Sequence, residues 1–244
     1  MKRKLIIVTL FTFLGINNYL HAQWQTTNGP FGGDILSLAT DGTNTFAGTF
    51  GNGVFLSTNN GASWSAANNG IPSPIPIGVG SIVINGANIY AGTSVGIFRS
   101  INSGSSWALL GNSANIGGSN GSVLAISGTT FFAGTGAGVW RSTNNGSNWS
   151  QVNTGLTNLQ VRSLIISGTN IFVGTEGGGV FLSTNNGTSW IAVNNGLTNT
   201  NVRSLTVNGT SIFAGTDGGG AFLSSNNGSS WTAVNTGLTN SRVF

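Results

Sequence analysis

Between Val161 and Gly196 the apolar residues fall into four short runs divided by polar turns. Val161 to Ser167 is apolar and β-branched, Ile171 to Thr175 and Val180 to Ser183 are shorter and carry one Phe each, and Trp190 to Val193 closes the stretch. Runs of this length and composition predict strands. The separators Ser-Gly-Thr-Asn, Glu-Gly-Gly-Gly and Asn-Asn-Gly-Thr are rich in residues that accept positive φ, which predicts tight turns.

This pattern recurs along the chain. Ser57-Thr-Asn-Asn-Gly-Ala-Ser-Trp64, Ser100-Ile-Asn-Ser-Gly-Ser-Ser-Trp107, Ser142-Thr-Asn-Asn-Gly-Ser-Asn-Trp149, Ser183-Thr-Asn-Asn-Gly-Thr-Ser-Trp190 and Ser224-Ser-Asn-Asn-Gly-Ser-Ser-Trp231 share one template, with the Trp residues 43, 42, 41 and 41 positions apart. Four strands in every forty-odd residues is the period of a propeller blade. The expected fold is therefore all-β, a β-propeller of four-stranded blades spanning residues 23–244.

Composition agrees and excludes other classes. The 244 residues include 40 Gly and no Cys, and only 5% are charged, against about 25% in an average globular chain. Seven Trp and fourteen Phe are too many for a disordered chain, and without cysteines no disulfide framework can stabilise the fold.

The net charge of +4 is concentrated at the N-terminus. Lys2, Arg3 and Lys4 precede an apolar run from Leu5 to Ile16, and Leu20-His21-Ala22 offers a small-residue cleavage site. This is the plan of a secretory signal peptide, residues 1–22, and the apolar run is shorter than the roughly 20 residues needed to span a bilayer. The expected location is secreted or cell-surface, with no transmembrane span in the mature chain. What remains has five arginines (99, 141, 162, 203, 242) against four acids (Asp34, Asp41, Glu176, Asp217). A nearly neutral surface gives nucleic acid no basic patch to bind.

The repeated octapeptide resembles the Asp-box, or bacterial neuraminidase repeat, whose pattern Ser-x-Asp-x-Gly-x-x-Trp lies on the hairpin between a blade's third and fourth strands. Asn59, Asn102, Asn144, Asn185 and Asn226 stand where that family usually has Asp. Asn keeps the side-chain carbonyl that accepts turn N–H groups and loses the charge. Trp64, Trp107, Trp149, Trp190 and Trp231 recur in register, as packing residues needed by every blade do. Similar repeats occur in sialidases, xyloglucan-active glycosidases, sortilin-type receptors and photosystem II assembly-factor-like proteins, so the resemblance implies a fold and leaves function open.

Trp24-Gln-Thr-Thr-Asn-Gly resembles the fourth strand that follows each octapeptide, and Ser241-Arg-Val-Phe244 resembles the first strand of a further unit. The expectation is five whole blades with pieces of others at both ends, from a propeller of six to eight blades.

Chemistry is scarce. Beyond residue 22 there is no His, Cys, Lys or Met, which removes Ser–His, Cys–His and Schiff-base nucleophiles and zinc or copper sites built from His or Cys. No metal and no cofactor is expected. Glycoside hydrolysis needs only two carboxylates, and Glu176 and Asp217 are the candidates. Both follow Gly-Thr and precede three glycines on the turn between second and third strands, which the resemblance puts on the face opposite the octapeptide turns. Thr216-Asp-Gly-Gly-Gly220 also loosely resembles a loop of xyloglucan-active relatives.

Equivalent turns of the other units carry Phe50, Ser94 and Gly136, and Arg162 and Arg203 lie close enough in the pattern to pair with the two acids. The sequence therefore favours a non-catalytic binding or scaffold module for a glycan or an extracellular protein or peptide, with Phe50, Glu176, Asp217, Arg162 and Arg203 as ligand contacts. The alternative is a sialidase-like or xyloglucanase-like glycosidase with further catalytic residues beyond 244. Arg99 and Arg141, just before the octapeptide Ser, are expected on a solvated strand face. Ile71–Ile77 and Gly111–Gly121 are the most irregular connections, and loops that depart from a rigid scaffold commonly carry specificity.

Overall fold

A computed structural model describes residues 29–30, 34–72, 77–111, 113, 116 and 122–244. The proposed signal peptide, the strand-like segment at Trp24 and most of the two irregular connections lie outside the described residues. Five four-stranded antiparallel sheets form the blades of a β-propeller. Blade 1 comprises β1 (Ile35–Thr40), β2 (Thr45–Thr49), β3 (Val54–Ser57) and β4 (Ser65–Ala66), and blade 2 comprises β5 (Val79–Asn85), β6 (Asn88–Thr93), β7 (Gly96–Ser100) and β8 (Ala108–Leu109). Blade 3 follows with β9 (Val123–Ser127), β10 (Thr130–Thr135), β11 (Gly138–Ser142) and β12 (Ser150–Gln151). Blade 4 is β13 (Val161–Ser167), β14 (Asn170–Thr175), β15 (Gly179–Ser183) and β16 (Ile191–Ala192); blade 5 is β17 (Val202–Asn208), β18 (Ser211–Thr216), β19 (Gly220–Ser224) and β20 (Thr232–Ala233).

Each sheet runs in sequence order from an inner first strand to a short outer fourth one, and consecutive first strands touch. The fourth strand is shorter than Trp190–Val193 suggested. Only Ile191 and Ala192 pair with β15, because Trp190 turns away to the preceding blade, where its N–H reaches the Thr154 carbonyl.

Burial is organised between blades. Each apolar cluster joins the trailing face of one blade to the leading face of the next: Phe132, Val139 and Leu156 of blade 3 meet Val161, Leu164, Ile171 and Trp190 of blade 4, and Phe172, Val180 and Leu197 meet Val202, Leu205 and Trp231 of blade 5. Each fully buried Phe or Leu stabilises by about 1.5–3 kcal/mol relative to exposure. A close approach between inner strands falls on the Gly of the second strands. A Cβ on Gly174 would clash with Val202, and one on Gly134 with Val161, so only Gly lets neighbouring inner strands close up.

The octapeptide turns are alike in all five blades. In blade 4 the Ser183 hydroxyl donates to Asn185 Oδ1 (2.9 Å) and accepts the Gly187 N–H (2.8 Å). Asn185 Oδ1 also accepts the Ser189 N–H (2.9 Å), and its Nδ2 donates to Ser189 Oγ (2.8 Å). Asn186 sits at φ 56° and Gly187 at φ 77°, a left-handed pair that Asn and Gly accept at low cost.

A second recurrent anchor was not foreseen. Asn194 Oδ1 accepts the Val180 N–H (2.7 Å) while its Nδ2 donates to the Gly178 carbonyl (3.0 Å). Asn68, Asn153 and Asn235 repeat this arrangement, and Ser113 replaces the Asn in blade 2. The signal was visible as the Asn that follows four of the five fourth strands.

Of the two arginines expected on a solvated strand face, one departs from that expectation. Arg99 is exposed. Arg141 instead reaches the next blade, its Nη1 donating to the Asn186 carbonyl at 2.7 Å. The left-handed backbone at Asn186 turns that carbonyl toward blade 3, which a single-strand reading could not anticipate.

Candidate functional site

The turns between second and third strands and the starts of the first strands lie at one end of the blades, away from the octapeptide turns. Phe50, Ser94, Glu176 and Asp217 are equivalent, each donating its N–H to the carbonyl opposite it on its first strand: Asp34, Gly78, Gln160 and Asn201. Phe50 is half exposed. The Glu176 carbonyl is held by Asn158 Nδ2 (3.0 Å) and that of Asp217 by Asn199 Nδ2 (3.2 Å).

Four first strands carry the same irregularity one residue from their start. The register shifts between Ile35 and Ser37, Val79 and Ser81, Val161 and Ser163, and Val202 and Ser204. The extra residues are Leu36, Gly80, Arg162 and Arg203. A bulge re-aims its side chain, and these four, with Val123, Val161 and Phe244, line one cavity of about 230 Å³. A larger cavity, about 350 Å³, lies at the other end between blades 3 and 4, beside Phe132, Ile166 and Asn185.

The charged groups form a ladder across blades 4 and 5. Arg162 Nε and Nη2 both donate to Glu176 Oε2, at 2.7 and 2.5 Å. Arg203 Nη1 reaches the same oxygen at 3.4 Å, and its Nη2 reaches Asp217 Oδ2 at 3.0 Å. Arg242 Nε adds 3.1 Å to Asp217 Oδ1. Three cations against two carboxylates leave the ladder net positive. Arg203 Nε and Asn201 Oδ1, both buried, have no hydrogen-bond partner among the described residues.

Of the residues singled out in the sequence, Arg162, Arg203, Glu176 and Asp217 come together, with the arginines in the cavity wall and the acids behind them. Phe50 lies on the same rim but not in that wall. The five Asn of the octapeptide turns, Asn59, Asn102, Asn144, Asn185 and Asn226, lie at the opposite end with their Trp partners. Sequence reasoning missed Leu36, Gly80 and Phe244 as wall residues, although Leu36 and Gly80 each follow the first apolar residue of a first strand. It also missed Asp34, a rim carboxylate with no ion pair among the described residues.

Among the described residues no group of three His, Cys, Asp or Glu is placed to hold a metal ion, and no helix is long and apolar enough to cross a membrane. Tyr90, buried against the edge of Phe131 at a centroid distance of 5.0 Å, is a core residue. Burial pushes its phenol above the ordinary value, and Arg99 opposes the shift.

No protein-family model matches the chain, and no curated protein matches it in sequence. Solved structures do. The chain is similar to an ancestral GH74 enzyme at 23% identity and TM-score 0.67, over 90% of this chain and 33% of that one. It is similar to YCF48 bound to D1 peptide (15% identity, TM-score 0.64, 86% and 69% of the two chains). A third likeness is to the extracellular domain of a putative hybrid two component system from B. thetaiotaomicron, at 17% identity and TM-score 0.66, over 88% and 30%. The chain thus spans about a third of the GH74 enzyme, and these likenesses establish the propeller fold alone.

Proposed function

We propose that the chain is an exported Asp-box-type β-propeller that binds its ligand without catalysis, at the cavity lined by the first-strand bulges. The observation that carries this reading is the convergence of Arg162 and Arg203 with Leu36, Val123 and Phe244 on one cavity. Apolar walls with a few fixed polar groups are what a binding pocket needs. The excess positive charge favours a ligand that carries a carboxylate, and an extended peptide or an acidic glycan meets that requirement.

Both candidate acids of the ladder are already engaged by guanidinium groups. YCF48, a propeller described with a bound peptide, supports a peptide ligand by analogy only. Isothermal titration against peptide and glycan panels, repeated with Arg203→Gln, tests the reading. Binding that survives Arg203→Gln unchanged would place the ligand elsewhere and overturn it.

One observation favours glycoside hydrolysis as a second reading. Asp34, with no ion pair among the described residues, presents a carboxylate on the rim that also bears Glu176 and Asp217. Turnover of a glycoside panel, abolished by Asp34→Asn together with Glu176→Gln or Asp217→Asn, would establish hydrolysis in place of simple binding.

A further inference from the structure

Alike in the bonds of their Ser hydroxyl, the five octapeptide turns differ at one amide. In blades 1, 2, 4 and 5 the octapeptide Asn spends its Nδ2 inside the turn. Asn59, Asn102, Asn185 and Asn226 donate it to Oγ of Ser63, Ser106, Ser189 and Ser230 at 2.8–2.9 Å. Blade 3 has Asn148 where the others have that Ser. Asn144 Oδ1 still accepts the Ser142 hydroxyl and the Asn148 N–H, both at 2.9 Å. Its Nδ2 has no partner among the described residues, and neither has the Asn148 side chain.

A second departure lies beside the first. Arg141 stands where blades 1, 4 and 5 have Leu56, Leu182 and Leu223. Of the five described arginines, only Arg99 and Arg141 have no carboxylate partner among the described residues. Arg141 is nevertheless fixed in direction. Its Nη1 is held by the Asn186 carbonyl of blade 4 at 2.7 Å, which leaves Nε and Nη2 of the planar fork to a further acceptor.

These groups meet in one cavity of about 180 Å³, lined by Arg141, Thr143, Asn144, Asn148, Trp149 and Ser150. Its polar lining is one guanidinium, two carboxamides and two hydroxyls, with no acid. Unspent N–H donors around a cation suit an oxyanion, and amides and hydroxyls that both donate and accept suit the hydroxyls of a sugar ring. The cavity is smaller than the roughly 300–1,000 Å³ that encloses a whole drug-sized ligand, so it fits one charged group of a chain lying across the surface. A repeat that breaks its own rule without gain to the turn does so where function requires it.

Blade 2 provides an internal comparison. Arg99 lines a cavity of about 160 Å³ with Ile101, Ser106, Trp107 and Ala108. Ile101 and Ala108 stand in place of Thr143 and Ser150, and Ser106 consumes the Asn102 amide. The arginine is present there and the other donors are not.

We propose that the blade 3 octapeptide turn is a second binding site, at the end opposite the first-strand cavity, for the sulfate or carboxylate group of an acidic glycan. Arg141 pairs with the oxyanion, and the Asn144 and Asn148 amides donate to it and to the adjoining ring hydroxyls.

Titration calorimetry of the 244-residue chain at constant ionic strength tests this, with a sulfated disaccharide, a uronate-containing disaccharide, their uncharged parent and sodium sulfate as probes. At least one charged disaccharide binds, at least about ten-fold more tightly than the uncharged parent, and Arg141→Gln removes that advantage. Asn148→Ser copies the turn of the other four blades and so keeps the fold. It returns the Asn144 amide to the turn and weakens binding by about two- to ten-fold. Arg99→Gln leaves the affinity unchanged. Charged disaccharides that bind no better than the parent overturn the proposal, as does Asn148→Ser without effect. Equal losses from Arg99→Gln and Arg141→Gln also overturn it, because they are the mark of diffuse charge attraction. So does sodium sulfate binding as tightly as the disaccharides, since the sugar then contributes nothing. Loss on Arg203→Gln in place of Arg141→Gln overturns it in favour of the first-strand cavity.

Discussion

Trp231 donates its indole N–H to the carbonyl of Val193, 2.7 Å away and one blade back. The same bond joins Trp190 to Val152 and Trp107 to Ala67. These three octapeptide Trp residues therefore fasten blades together as well as filling space between them, whereas Trp149 donates to Gly146 of its own turn. Trp190→Phe keeps most of the apolar surface and strands a buried carbonyl, at a cost of about 1–3 kcal/mol. Trp64→Phe removes an N–H that has no partner among the described residues and is expected to cost distinctly less. Urea titrations of the two variants, side by side, check the difference.

The octapeptide turn rests on the Ser hydroxyl more than on a charge at the Asn position. Ser183→Ala leaves the Gly187 N–H and Asn185 Oδ1 without the buried group that serves both, at about 1–3 kcal/mol. Asn185→Asp retains an acceptor for the Ser189 N–H, and the Ser189 hydroxyl can rotate to donate. That variant is expected within about 0.5 kcal/mol of the parent at neutral pH, by thermal or urea denaturation.

Strand order, turn positions and the blade period were legible in the sequence because each unit restates them. β13 starts and ends at the residues read from the pattern, Val161 and Ser167. What was not legible depends on relations between units. The bulges that turn Leu36, Arg162 and Arg203 into one cavity follow from pairing register, which a single strand does not reveal. Arg141 looked solvated because its acceptor, the Asn186 carbonyl, belongs to another blade. The pairing of Arg162 and Arg203 with the acids was readable from their positions, but the place of Asp34 on the same rim emerged only from its carbonyl bond to Phe50.

Tyr90 is the sole tyrosine of residues 23–244, so its ionisation can be followed alone. Its folded value lies above the ordinary 10 because burial disfavours the phenolate. The folded state then holds its proton more tightly than the unfolded chain. The associated stability is fully present below pH ~10 and is lost as pH rises through the folded value. Ultraviolet titration of the phenolate in a chain beginning after residue 22 should give a midpoint above 10, and Tyr90→Phe should flatten the decline in stability above that pH. A midpoint at or below 10 would contradict the burial of this ring.

Glu176→Gln separates the two functional readings by the sign of its effect. Glu176 Oε2 is shared by Arg162 and Arg203, so removing its charge frees the Arg162 guanidinium beside the cavity and leaves Arg203 with Asp217 alone. The pairs are partly exposed, and the cost to folding should be only about 1 kcal/mol. If the cavity binds a carboxylate, the freed cation strengthens binding by several-fold, on the order of the same 1 kcal/mol. The gain should shrink at high salt, where exposed charges are screened. Arg203→Gln should weaken the same ligand. If Glu176 is instead a catalytic carboxylate, Glu176→Gln abolishes turnover whatever it does to affinity. Calorimetry at two ionic strengths, with a glycoside turnover assay on the same preparations, distinguishes a binding site that gains from the substitution from an active site that loses by it.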